Sequence, residues 1–535
     1  MTGTGTLTRV PDPIPLRPDR PVRTPLAELA GLLGDRLVAT PGRGDLDTVE
    51  VTGVTISSLR VRPGDVYVAA PGTHAHGATY TSQAVAGGAV AVLTDPAGRD
   101  LLGSGTGAPV LVVERPREVL GAIAARVYGT PAEWLRLVAV TGTQGKTTTT
   151  RLAEGALTTA GVTAAVVGTV GTRVAGVEVK TSLTTPEAPD LHALFAVMVE
   201  RDVVACAMEV SSHALVMGRV DGVVFDVACF TNLGRDHLDF HTDVEDYFRA
   251  KASLFTPERC RLGLVNLDDP HGRRLVQEAT VPVRTFSTHS SGADWWADDV
   301  VLEPTGSTFT VHTPDGRSVP ARVPLTGDFN VANALCAIAA LGEVGFDPAE
   351  VAEAMGRSGG VPGRLEQVEA GQDFLAVVDY AHKPDAVEAA LGALRPLTEG
   401  RLLVVIGAGG DRDPGKRPLM GEVAARLADV LVVTDDNPRT EDPARIRAAV
   451  LGGLAAVPAA ERAEVHEQGD RRRAIRLAVS LAGRGDTVVV AGKGHETGQE
   501  IGVDVVAFDD RDVLREEIAG VVGGSAGGYG PGVHP

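Results

Sequence analysis

The chain is poor in cysteine and has no cysteine pattern of known chemical use. Its four cysteines are scattered, and no two of them form a C-x-x-C pair: Cys206, Cys229, Cys260 and Cys336. This pattern excludes a disulfide framework and a cysteine-based zinc site, and it is typical of proteins of the reducing cytoplasm.

The chain also lacks long apolar runs and an excess of basic charge. No run approaches the roughly 20 apolar residues of a membrane span, and residues 1–25 hold no apolar segment of the kind found in signal peptides. The formal net charge of −19 disfavours general binding to nucleic acid, which requires a basic surface to displace counterions. We therefore expect a cytoplasmic protein with neither a membrane span nor a nucleic-acid partner.

What the chain does have is an alternation of short apolar strands and helical segments. Buried strands are predicted at 66–70, 90–93, 135–140, 164–167, 204–209, 227–230, 375–379, 402–406, 430–434 and 487–491. Strands separated by helical segments predict mostly parallel, doubly wound sheets, and 535 residues are too many for one core. The predicted fold class is therefore α/β, with a disordered head at 1–24, three α/β domains at 25–134, 135–360 and 361–521, and a flexible tail at 522–535.

The most informative segment follows the predicted strand 135–140. Gly142 and Gly145 bracket a tight turn, and Lys146-Thr147-Thr148 open a predicted helix that runs to about residue 160. Glycines let backbone N–H groups converge on an anion, and a helix N-terminus adds positive charge. In such a phosphate loop Lys146 reaches the β- and γ-phosphates of a nucleotide, and the Thr147 hydroxyl binds Mg²⁺. The alternative is a glycine-rich turn with a surface lysine, which the strand–turn–helix context disfavours.

Further polar residues follow the predicted strands 204–209 and 227–230. Glu209 ends the first strand, and a carboxylate at a strand end near a phosphate loop is suited to bind Mg²⁺. Ser211 or Ser212 can at the same time cap the next helix. His237 follows the second strand, and Lys251 lies in a predicted helix at 244–255. Taken alone, His237 is more often a structural histidine and Lys251 a solvated lysine, so these alternatives stay open.

Polar clusters also follow the strands of the third predicted domain. They lie at 407–413, 435–439 and 492–496, and doubly wound sheets bind their ligands beyond the carboxyl ends of the strands. A dinucleotide fingerprint at Gly407-Ala408-Gly409 fails because its third glycine would fall on Arg412. This disfavours a redox cofactor.

Taken together, these segments closely resemble the Mur ligase family, the ATP-dependent amide-forming enzymes of peptidoglycan precursor synthesis. The resemblance covers about residues 50–515 and rests on motifs that occur in order: TGTQGKTT (141–148), AMEVSSHAL (207–215), TNLGRDHLDFH (231–241), GDFNVANAL (327–335), PGRLE (362–366), DYAHKPDA (379–386) and GAGGDRDPGKRP (407–418). Within the family, TDDNPR (434–439) and AGKGHE (491–496) are similar to the members that add meso-diaminopimelate to UDP-N-acetylmuramoyl-L-alanyl-D-glutamate.

The resemblance implies a domain for the uridine nucleotide, a central P-loop ATPase domain and a C-terminal Rossmann-like domain for the incoming amino acid, in a monomer. It implies ATP contacts from the phosphate loop and from later residues: Gly142, Thr143, Gln144, Gly145, Lys146, Thr147, Thr148, Asn330, Asn333, Arg364, Asp379 and His382. It assigns catalysis to Lys146, Glu209, His237 and Lys251, and it assigns two Mg²⁺ ions to Thr147, Glu209, His237 and a carbamylated Lys251. A carbamate turns a cation into an oxygen-donor anion, which a Mg²⁺ near polyphosphate requires.

The same resemblance assigns residues to the other two substrates. The UDP-muramoyl dipeptide would contact Ile56, Ser58, Thr73, His74, Ala75, Thr184, Thr185, Ser211 and Arg219. Diaminopimelate would contact Arg412, Asp436, Asn437, Pro438, Arg439, Gly492 and Glu496.

Some positions depart from the family pattern. Ser57-Ser58-Leu59 stands where Asp-Ser-Arg is usual, Met217 where glutamine is common, and Gln144 where asparagine is commoner. The first two departures bear on contacts to the UDP-substrate, and none of the three bears on phosphate or metal chemistry. Val140 stands where the general phosphate-loop pattern has glycine.

Other functions fit the sequence less well. A folylpolyglutamate synthetase and the ligase that adds D-Ala-D-Ala are disfavoured by DNPR at 436–439. A nucleotide switch is disfavoured by the absence of an Asn-Lys-x-Asp guanine motif, and a catalytically silent homologue by the presence of Lys146, Glu209, His237 and Lys251.

Overall fold

The structure, a computed structural model, describes residues 16–39, 46–72, 74–103, 106–179, 181 and 183–525. The chain forms two compact units, Met1–Trp296 with Cys336–Ala354 and Ala297–Leu335 with Met355–Pro535. Residues on both sides of the predicted domain boundary at 135 belong to the first unit, so the three-domain division stays a prediction. Within the described ranges, no helix has the length and apolar character needed to cross a membrane.

The amino-terminal part of the first unit is a small α/β layer. Its sheet has the strand order Leu37–Ala39, Val110–Val113, Ala91–Thr94, Asp65–Ala69 and Gly53–Thr55, and only the first pair is antiparallel. Its helices include Leu26–Leu33, Thr81–Ala86, Pro96–Leu102 and Pro116–Val127, with 3₁₀ turns at Gly34–Arg36, Gly77–Tyr80 and Pro131–Trp134. The central strands are buried along their whole length, as expected for a parallel sheet covered on both faces.

Residues 16–24 belong to this fold, which corrects the prediction of a disordered head up to residue 24. The backbone N–H groups of Asp19 and Arg20 donate to the Glu200 carboxylate at 2.9 and 2.7 Å. Thr24 pairs with Val51 in a short antiparallel ladder. The prediction was based on Pro and Arg content, which does not reveal contacts to residues far along the chain. Residues 1–15 lie outside the described ranges.

The rest of the first unit carries a larger sheet. Its strand order is Val177–Val179, Thr172–Val174, Ala164–Val167, Ala205–Glu209, Arg136–Thr141, Phe225–Phe230, Cys260–Asn266 and Val283–Ser287, and Trp295 and Trp296 pair with the last strand. The first three strands are joined by antiparallel pairing, and the strands from Ala164–Val167 onward are parallel. The helices of this part include Lys146–Thr159, Ala188–Glu200, Ser212–Val216, Val244–Ala252 and Pro270–Glu278.

The second unit contains a hairpin and a Rossmann-like sheet. The hairpin pairs Gly306–His312 with Ser318–Val323. The sheet has the strand order Glu366–Gln367, Leu375–Asp379, Thr487–Ala491, Leu402–Ile406, Val430–Val433 and Glu464–Glu467, and it is parallel except for its first pair. Its helices include Pro384–Leu394, Lys416–Leu427, Pro443–Gly452, Arg471–Leu481 and Asp510–Ser525, with 3₁₀ turns at Arg395–Leu397 and Gly453–Ala456. A second hairpin pairs Gly498–Ile501 with Asp504–Ala507.

Some elements of the predicted domain 135–360 are divided between the two units. Trp295–Glu303, Asp328–Glu343 and Pro348–Arg357 each have residues in both units. The C-terminal helix continues to Ser525, beyond the predicted start of the tail at 522, and residues 526–535 lie outside the described ranges. The α/β fold class with mostly parallel sheets is confirmed.

The strand order explains where the polar motifs meet. In the first unit, Arg136–Thr141 lies between Ala205–Glu209 and Phe225–Phe230, and all three run in the same direction. Their carboxyl ends therefore share one edge of the sheet, which is where parallel α/β folds bind ligands.

Candidate active site

The phosphate loop depends on two glycines with unusual backbone angles. Gly142 has a φ of 152°, and a Cβ at this position would lie 1.9 Å from the Thr231 hydroxyl oxygen. Gly145 has a φ of 85° and precedes the helix Lys146–Thr159. Residues other than glycine rarely adopt such backbone angles, so the two glycines set the path of the loop.

Asn232 and Lys146 fix the loop from its two sides. The Asn232 side-chain oxygen accepts from the Gln144 N–H at 2.9 Å. The Lys146 ammonium donates to the carbonyl oxygens of Gly142 and Thr143 at 2.7 and 3.0 Å. This places a cation and a helix N-terminus at the same point, the arrangement that binds nucleotide phosphates.

Glu209 joins the phosphate loop to the neighbouring strand end. Its carboxylate is 1% exposed, and its Oε1 accepts from the Thr147 hydroxyl and from the Thr169 N–H, both at 2.8 Å. Its Oε2 accepts from the Thr169 hydroxyl at 3.1 Å. A Cβ on Gly168 would lie 2.3 Å from Glu209 Oε1, so glycine is needed there to leave room for the carboxylate. The structure thus brings together the predicted Thr147 and Glu209.

Lys251 lies against the phosphate loop instead of in solvent. Its side chain is buried, its ammonium donates to the Gly142 carbonyl oxygen at 2.8 Å, and it lies 4.5 Å from the centre of the Tyr247 ring. The Tyr247 hydroxyl in turn shares a 3.1 Å hydrogen bond with the Thr143 hydroxyl. The alternative of a solvated surface lysine is therefore wrong.

His237 lies in a group of aromatic rings beside this lysine. Its ring centre is 4.8 Å from that of His213 and 6.0 Å from that of Tyr247. Its backbone has a φ of 53°, which is uncommon for a residue other than glycine. His213 stacks on Phe240 at 3.9 Å, and burial, followed by the charge of His241, lowers the pKa of His213.

The oxygen donors at the phosphate loop fit one hydrated Mg²⁺ ion. A hydroxyl and a carboxylate are the ligands Mg²⁺ prefers, and the ion usually keeps waters and phosphate oxygens in its remaining positions. Thr147 and Glu209 supply this pair. Within the described ranges, no group of three or more His, Cys, Asp and Glu side chains could hold a metal by itself.

The residues predicted for the UDP-substrate fall into two groups. Thr184, Thr185 and Ser211 form a hydrogen-bonded group beside Glu209. The Thr185 hydroxyl donates to the Glu209 carbonyl oxygen at 2.9 Å, and the Ser211 hydroxyl oxygen caps its helix by accepting from Ala214 N–H at 3.1 Å. The Thr184 hydroxyl shares a 3.1 Å hydrogen bond with the Thr169 hydroxyl, which in turn donates to the Glu209 carboxylate. The helix-cap alternative for Ser211 is thus correct and compatible with its predicted role.

The second group lies in the loops that follow the strands Gly53–Thr55 and Asp65–Ala69. Ser58 donates to Gln83 at 3.0 Å, and His74 and Ala75 are exposed. Ile56 is half-buried, and within the described ranges no hydrogen bond joins this group to Thr184, Thr185 or Ser211. Thr73 lies outside the described residues.

Arg219 lies near Met217, one of the residues that depart from the family pattern. Its Nε donates to Glu187 at 2.9 Å, and its Nη2 lies 3.5 Å from the sulfur of Met217. The thioether takes a position where an amide would offer a stronger acceptor, so this departure alters how the guanidinium is held.

In the second unit, Asp379 is the last residue of the strand Leu375–Asp379, and His382 lies just beyond this strand end. Burial raises the pKa of Asp379, whose carboxylate accepts from the N–H groups of Leu365 and Ala381, each at 2.8 Å. Burial, and then the charges of Lys383 and Lys416, lowers the pKa of His382 to about 3. Neutral His382 uses Nδ1 to donate to the Tyr380 carbonyl oxygen at 2.8 Å, which leaves Nε2 as an acceptor.

The other residues predicted near the nucleotide lie in the same unit. The Arg364 guanidinium lies 4.8 Å from the centre of the Tyr380 ring. Asn330 is buried and donates to the Thr326 carbonyl oxygen at 2.8 Å, and Asn333 donates to the Asn330 side chain at 3.3 Å. These contacts place both asparagine amides inside the protein.

The predicted amino-acid site is built where two loops of the second unit touch. A Cβ on Gly410 would lie 1.9 Å from the Pro438 carbonyl oxygen, which shows how closely the loops approach. Arg439 has a φ of 51°, and it donates through Nε to Glu500 at 2.5 Å and through Nη1 to the Gly410 carbonyl oxygen at 2.8 Å. Its Nη2 donates to no described residue, so the outer edge of the guanidinium is open. Arg412 is exposed.

Asp436 presents a carboxylate oxygen without a protein donor. The side chain is 7% exposed, and its Oδ2 has no hydrogen-bond partner among the described residues. The Arg471 guanidinium lies 4.0 Å from this oxygen, and a Cβ on Gly492 would lie 2.5 Å from it. Buried acceptors are seldom left unpaired, so this oxygen is suited to accept from an N–H of a ligand.

Comparison with known proteins gives the family. Three family models match, described as "Mur ligase family, catalytic domain" at residues 50–128, "Mur ligase middle domain" at 140–341 and "Mur ligase, glutamate ligase domain" at 363–494. The chain belongs to the Mur ligase family. The predicted resemblance is thereby confirmed.

Relatives of this Mur ligase match it over nearly its whole length. A Streptomyces avermitilis protein named UDP-N-acetylmuramoyl-L-alanyl-D-glutamate--2,6-diaminopimelate ligase is 56% identical over 95% of this chain and 98% of its own length. A Leifsonia xyli protein named UDP-N-acetylmuramyl-tripeptide synthetase is 46% identical over 94% of this chain and 98% of its own. A solved structure of a UDP-N-acetylmuramoyl-L-alanyl-D-glutamate--2,6-diaminopimelate ligase is 32% identical, with a TM-score of 0.68 over 94% of this chain and 100% of that one.

Sequence reasoning missed several residues that build the site of this Mur ligase. Thr169 holds Glu209, Asn232 holds the phosphate loop, and Glu500 holds Arg439. Asn232 lay inside a motif already singled out, so its position was a usable signal. Thr169 follows a strand end, whereas Glu500 lies in a hairpin that no sequence motif marked.

Proposed function

We propose that this Mur ligase joins meso-diaminopimelate to UDP-N-acetylmuramoyl-L-alanyl-D-glutamate while ATP is converted to ADP and phosphate. The observation that carries the proposal is a pair of side-chain atoms at the predicted amino-acid site that have no hydrogen-bond partner among the described residues. They are Nη2 of Arg439, whose guanidinium is held through Nε and Nη1, and the buried Oδ2 of Asp436. Diaminopimelate offers a carboxylate for the first and an ammonium for the second. The names of the relatives with 56% and 32% identity support the same reaction.

The first chemical step activates a carboxylate that is otherwise inert toward amines. The γ-carboxylate of the substrate's D-glutamate attacks the γ-phosphorus of ATP, the bond from that phosphorus to the bridging oxygen breaks, and ADP leaves with the electron pair. The product is an acyl phosphate. Lys146, at the helix N-terminus, stabilises negative charge on the transferring phosphoryl group. Bound Mg²⁺ at Thr147 and Glu209 supplies further charge neutralisation of the polyphosphate.

The second step forms the amide. The amine of diaminopimelate, after losing a proton, attacks the carbonyl carbon of the acyl phosphate, and the tetrahedral intermediate collapses with release of phosphate. Asp436 and Glu496 accept hydrogen bonds from ammonium groups of the amino acid, and Arg439 holds its distal carboxylate. Acyl phosphates hydrolyse readily, so closure of the site before reaction excludes water.

The remaining assignments follow the predicted domains. Residues 25–134 bind the uridine nucleotide with Ile56, Ser58, Thr73, His74 and Ala75, and Thr184, Thr185, Ser211 and Arg219 bind the muramoyl dipeptide. The phosphate loop binds the phosphates of ATP, and the family resemblance also assigns ATP binding to Asn330, Asn333, Arg364, Asp379 and His382. Arg412, Asn437, Pro438 and Gly492 complete the site for diaminopimelate. The enzyme acts as a monomer in the cytoplasm, and His237 and carbamylated Lys251 would contribute ligands to a second Mg²⁺ ion.

Glu209→Gln should raise the Mg²⁺ concentration required for half-maximal activity. The amide keeps an oxygen acceptor for Thr147 and Thr169 but lacks the negative charge that a divalent cation prefers. Titration of activity with Mg²⁺ checks this, with Glu178→Gln, at an exposed residue of the strand Val177–Val179, as the control. An unchanged Mg²⁺ requirement would remove Glu209 from the metal site.

Arg439→Ala should raise the KM for diaminopimelate steeply and leave the KM values for ATP and the UDP-dipeptide nearly unchanged. A guanidinium pairs with a carboxylate through two parallel hydrogen bonds, so its loss removes the group that recognises the far end of diaminopimelate. Wild type should largely reject L-lysine, which has no distal carboxylate for the outer edge of the Arg439 guanidinium. Steady-state kinetics with each substrate varied in turn gives the three KM values.

A matched control is Arg426→Ala. Arg426 lies in the same unit and also pairs with a carboxylate, that of Glu422 at 3.2 Å on its own helix. A preference of wild type for lysine over diaminopimelate would overturn the assignment of Asp436–Arg439 as the specificity motif.

A further inference from the structure

Lys493 is a fully buried lysine in the loop that carries Gly492 and Glu496. Its side chain is 0% exposed. Its ammonium donates to the Asn437 side-chain oxygen at 2.9 Å and to Glu496 Oε2 at 3.1 Å. Burying a cation is costly unless it is paired and hydrogen-bonded, and Lys493 meets both conditions with two residues of the predicted amino-acid site.

The hydrogen bonds around Asn437 fix the orientation of its amide. Its Oδ1 accepts from Lys493 and also from the Glu500 N–H at 3.0 Å. Both are donors only, so the oxygen must face them and Nδ2 must face the other way. There Nδ2 donates to Glu496 Oε2 at 2.9 Å.

The same network fixes one oxygen of Glu496 and leaves the other open. Oε2 receives hydrogen bonds from both Lys493 and Asn437, whereas Oε1 receives none from the described residues. The Glu496 side chain is 32% exposed, in contrast to buried Lys493. A carboxylate held through one oxygen presents the other in a defined direction, as an acceptor for a cationic group.

We infer that Lys493 is a positioning residue of the amino-acid site, which fixes Asn437 and Glu496 so that Glu496 Oε1 meets an ammonium of the incoming amino acid. Lys493 does not touch the substrate. It acts through Glu496, whose negative charge it also balances. This inference rests on the proposed function, since the ammonium belongs to diaminopimelate.

The test is Lys493→Met, which keeps most of the side-chain volume and removes the charge and the donors. The KM for diaminopimelate should rise roughly 10- to 100-fold, the range for losing a hydrogen bond to a charged group. The KM values for ATP and the UDP-dipeptide should stay within about twofold, since their contacts are unchanged. Arg476→Gln, which breaks an ion pair with Glu517 on the outer helices of the same unit, is the control.

A double-mutant cycle with Glu496→Gln separates positioning from a general structural role. Because Lys493 acts through Glu496, Lys493→Met should add less than about threefold to the KM for diaminopimelate in the Glu496→Gln background. Additive effects, or equal rises in all three KM values, would overturn the inference. If Lys493→Met does not fold, Lys493→Gln keeps N–H donors and should give a smaller rise in the same KM, and an unchanged value there would also overturn it.

Failure of this inference differs from failure of the proposed function. If wild type forms product with diaminopimelate but the Lys493 variants keep its KM, only the role of Lys493 is wrong. If wild type does not use diaminopimelate, the proposed reaction itself is wrong.

Discussion

Lys146→Ala should abolish ADP formation while the protein stays folded. Lys146 donates to carbonyl oxygens of its own loop, so its ammonium is held at the point where the transferring phosphoryl group gains negative charge. Loss of such a preorganised charge lowers the rate roughly 100- to 1000-fold or more. The measurement is ADP release with saturating UDP-dipeptide and diaminopimelate.

The controls for this prediction distinguish charge from folding. Arg249→Ala removes an exposed cation that pairs with Glu245 on the helix Val244–Ala252, and it should leave the rate unchanged. Thermal unfolding should give Lys146→Ala a Tm close to that of wild type. Near-normal turnover by Lys146→Ala would mean that ATP binds elsewhere.

Lys251→Ala should lose most of the ligase activity. Lys251 is buried against the loop carbonyl of Gly142, and a carbamate formed there keeps one N–H for this bond while it adds oxygen donors for Mg²⁺. Lys251→Arg should be equally inactive, because arginine keeps the positive charge but does not form a carbamate. A short carboxylic acid at high concentration should partly restore Lys251→Ala, since it can supply the missing oxygens.

The carbamate itself can be observed. Isotope-labelled bicarbonate should give a carbamate signal in the NMR spectrum of wild type, and this signal should be missing in Lys251→Arg. Full activity of Lys251→Arg, or no carbamate signal in active wild type, would contradict the proposal.

The sequence predicted buried strands well and inter-loop contacts poorly. The predicted strands at 164–167, 375–379, 402–406 and 487–491 match the observed bounds, because each is a short run of apolar residues between polar turns. The hairpin Gly306–His312 and Ser318–Val323 was not predicted, because its apolar residues are mixed with polar ones and form no continuous apolar run.

The candidate site shows the same contrast between local features, which the sequence predicts, and long-range contacts, which it does not. The phosphate loop follows from a local motif, and its hydrogen bonds from Lys146 are local as well. The network that joins Asn437 to Lys493 spans residues far apart in the sequence. A lysine in a glycine-rich loop is usually solvated, so only the packed structure shows that Lys493 is buried.

The most direct test of the proposed function is amide formation by the purified enzyme with ATP, UDP-N-acetylmuramoyl-L-alanyl-D-glutamate and one amino acid at a time. The UDP-linked product is identified by its mass, and ADP release is measured in parallel. We expect rapid, stoichiometric formation of product and ADP with meso-diaminopimelate and little with L-lysine or D-alanyl-D-alanine. Product formation with lysine in preference to diaminopimelate, or with a different UDP-precursor, would contradict the proposed function.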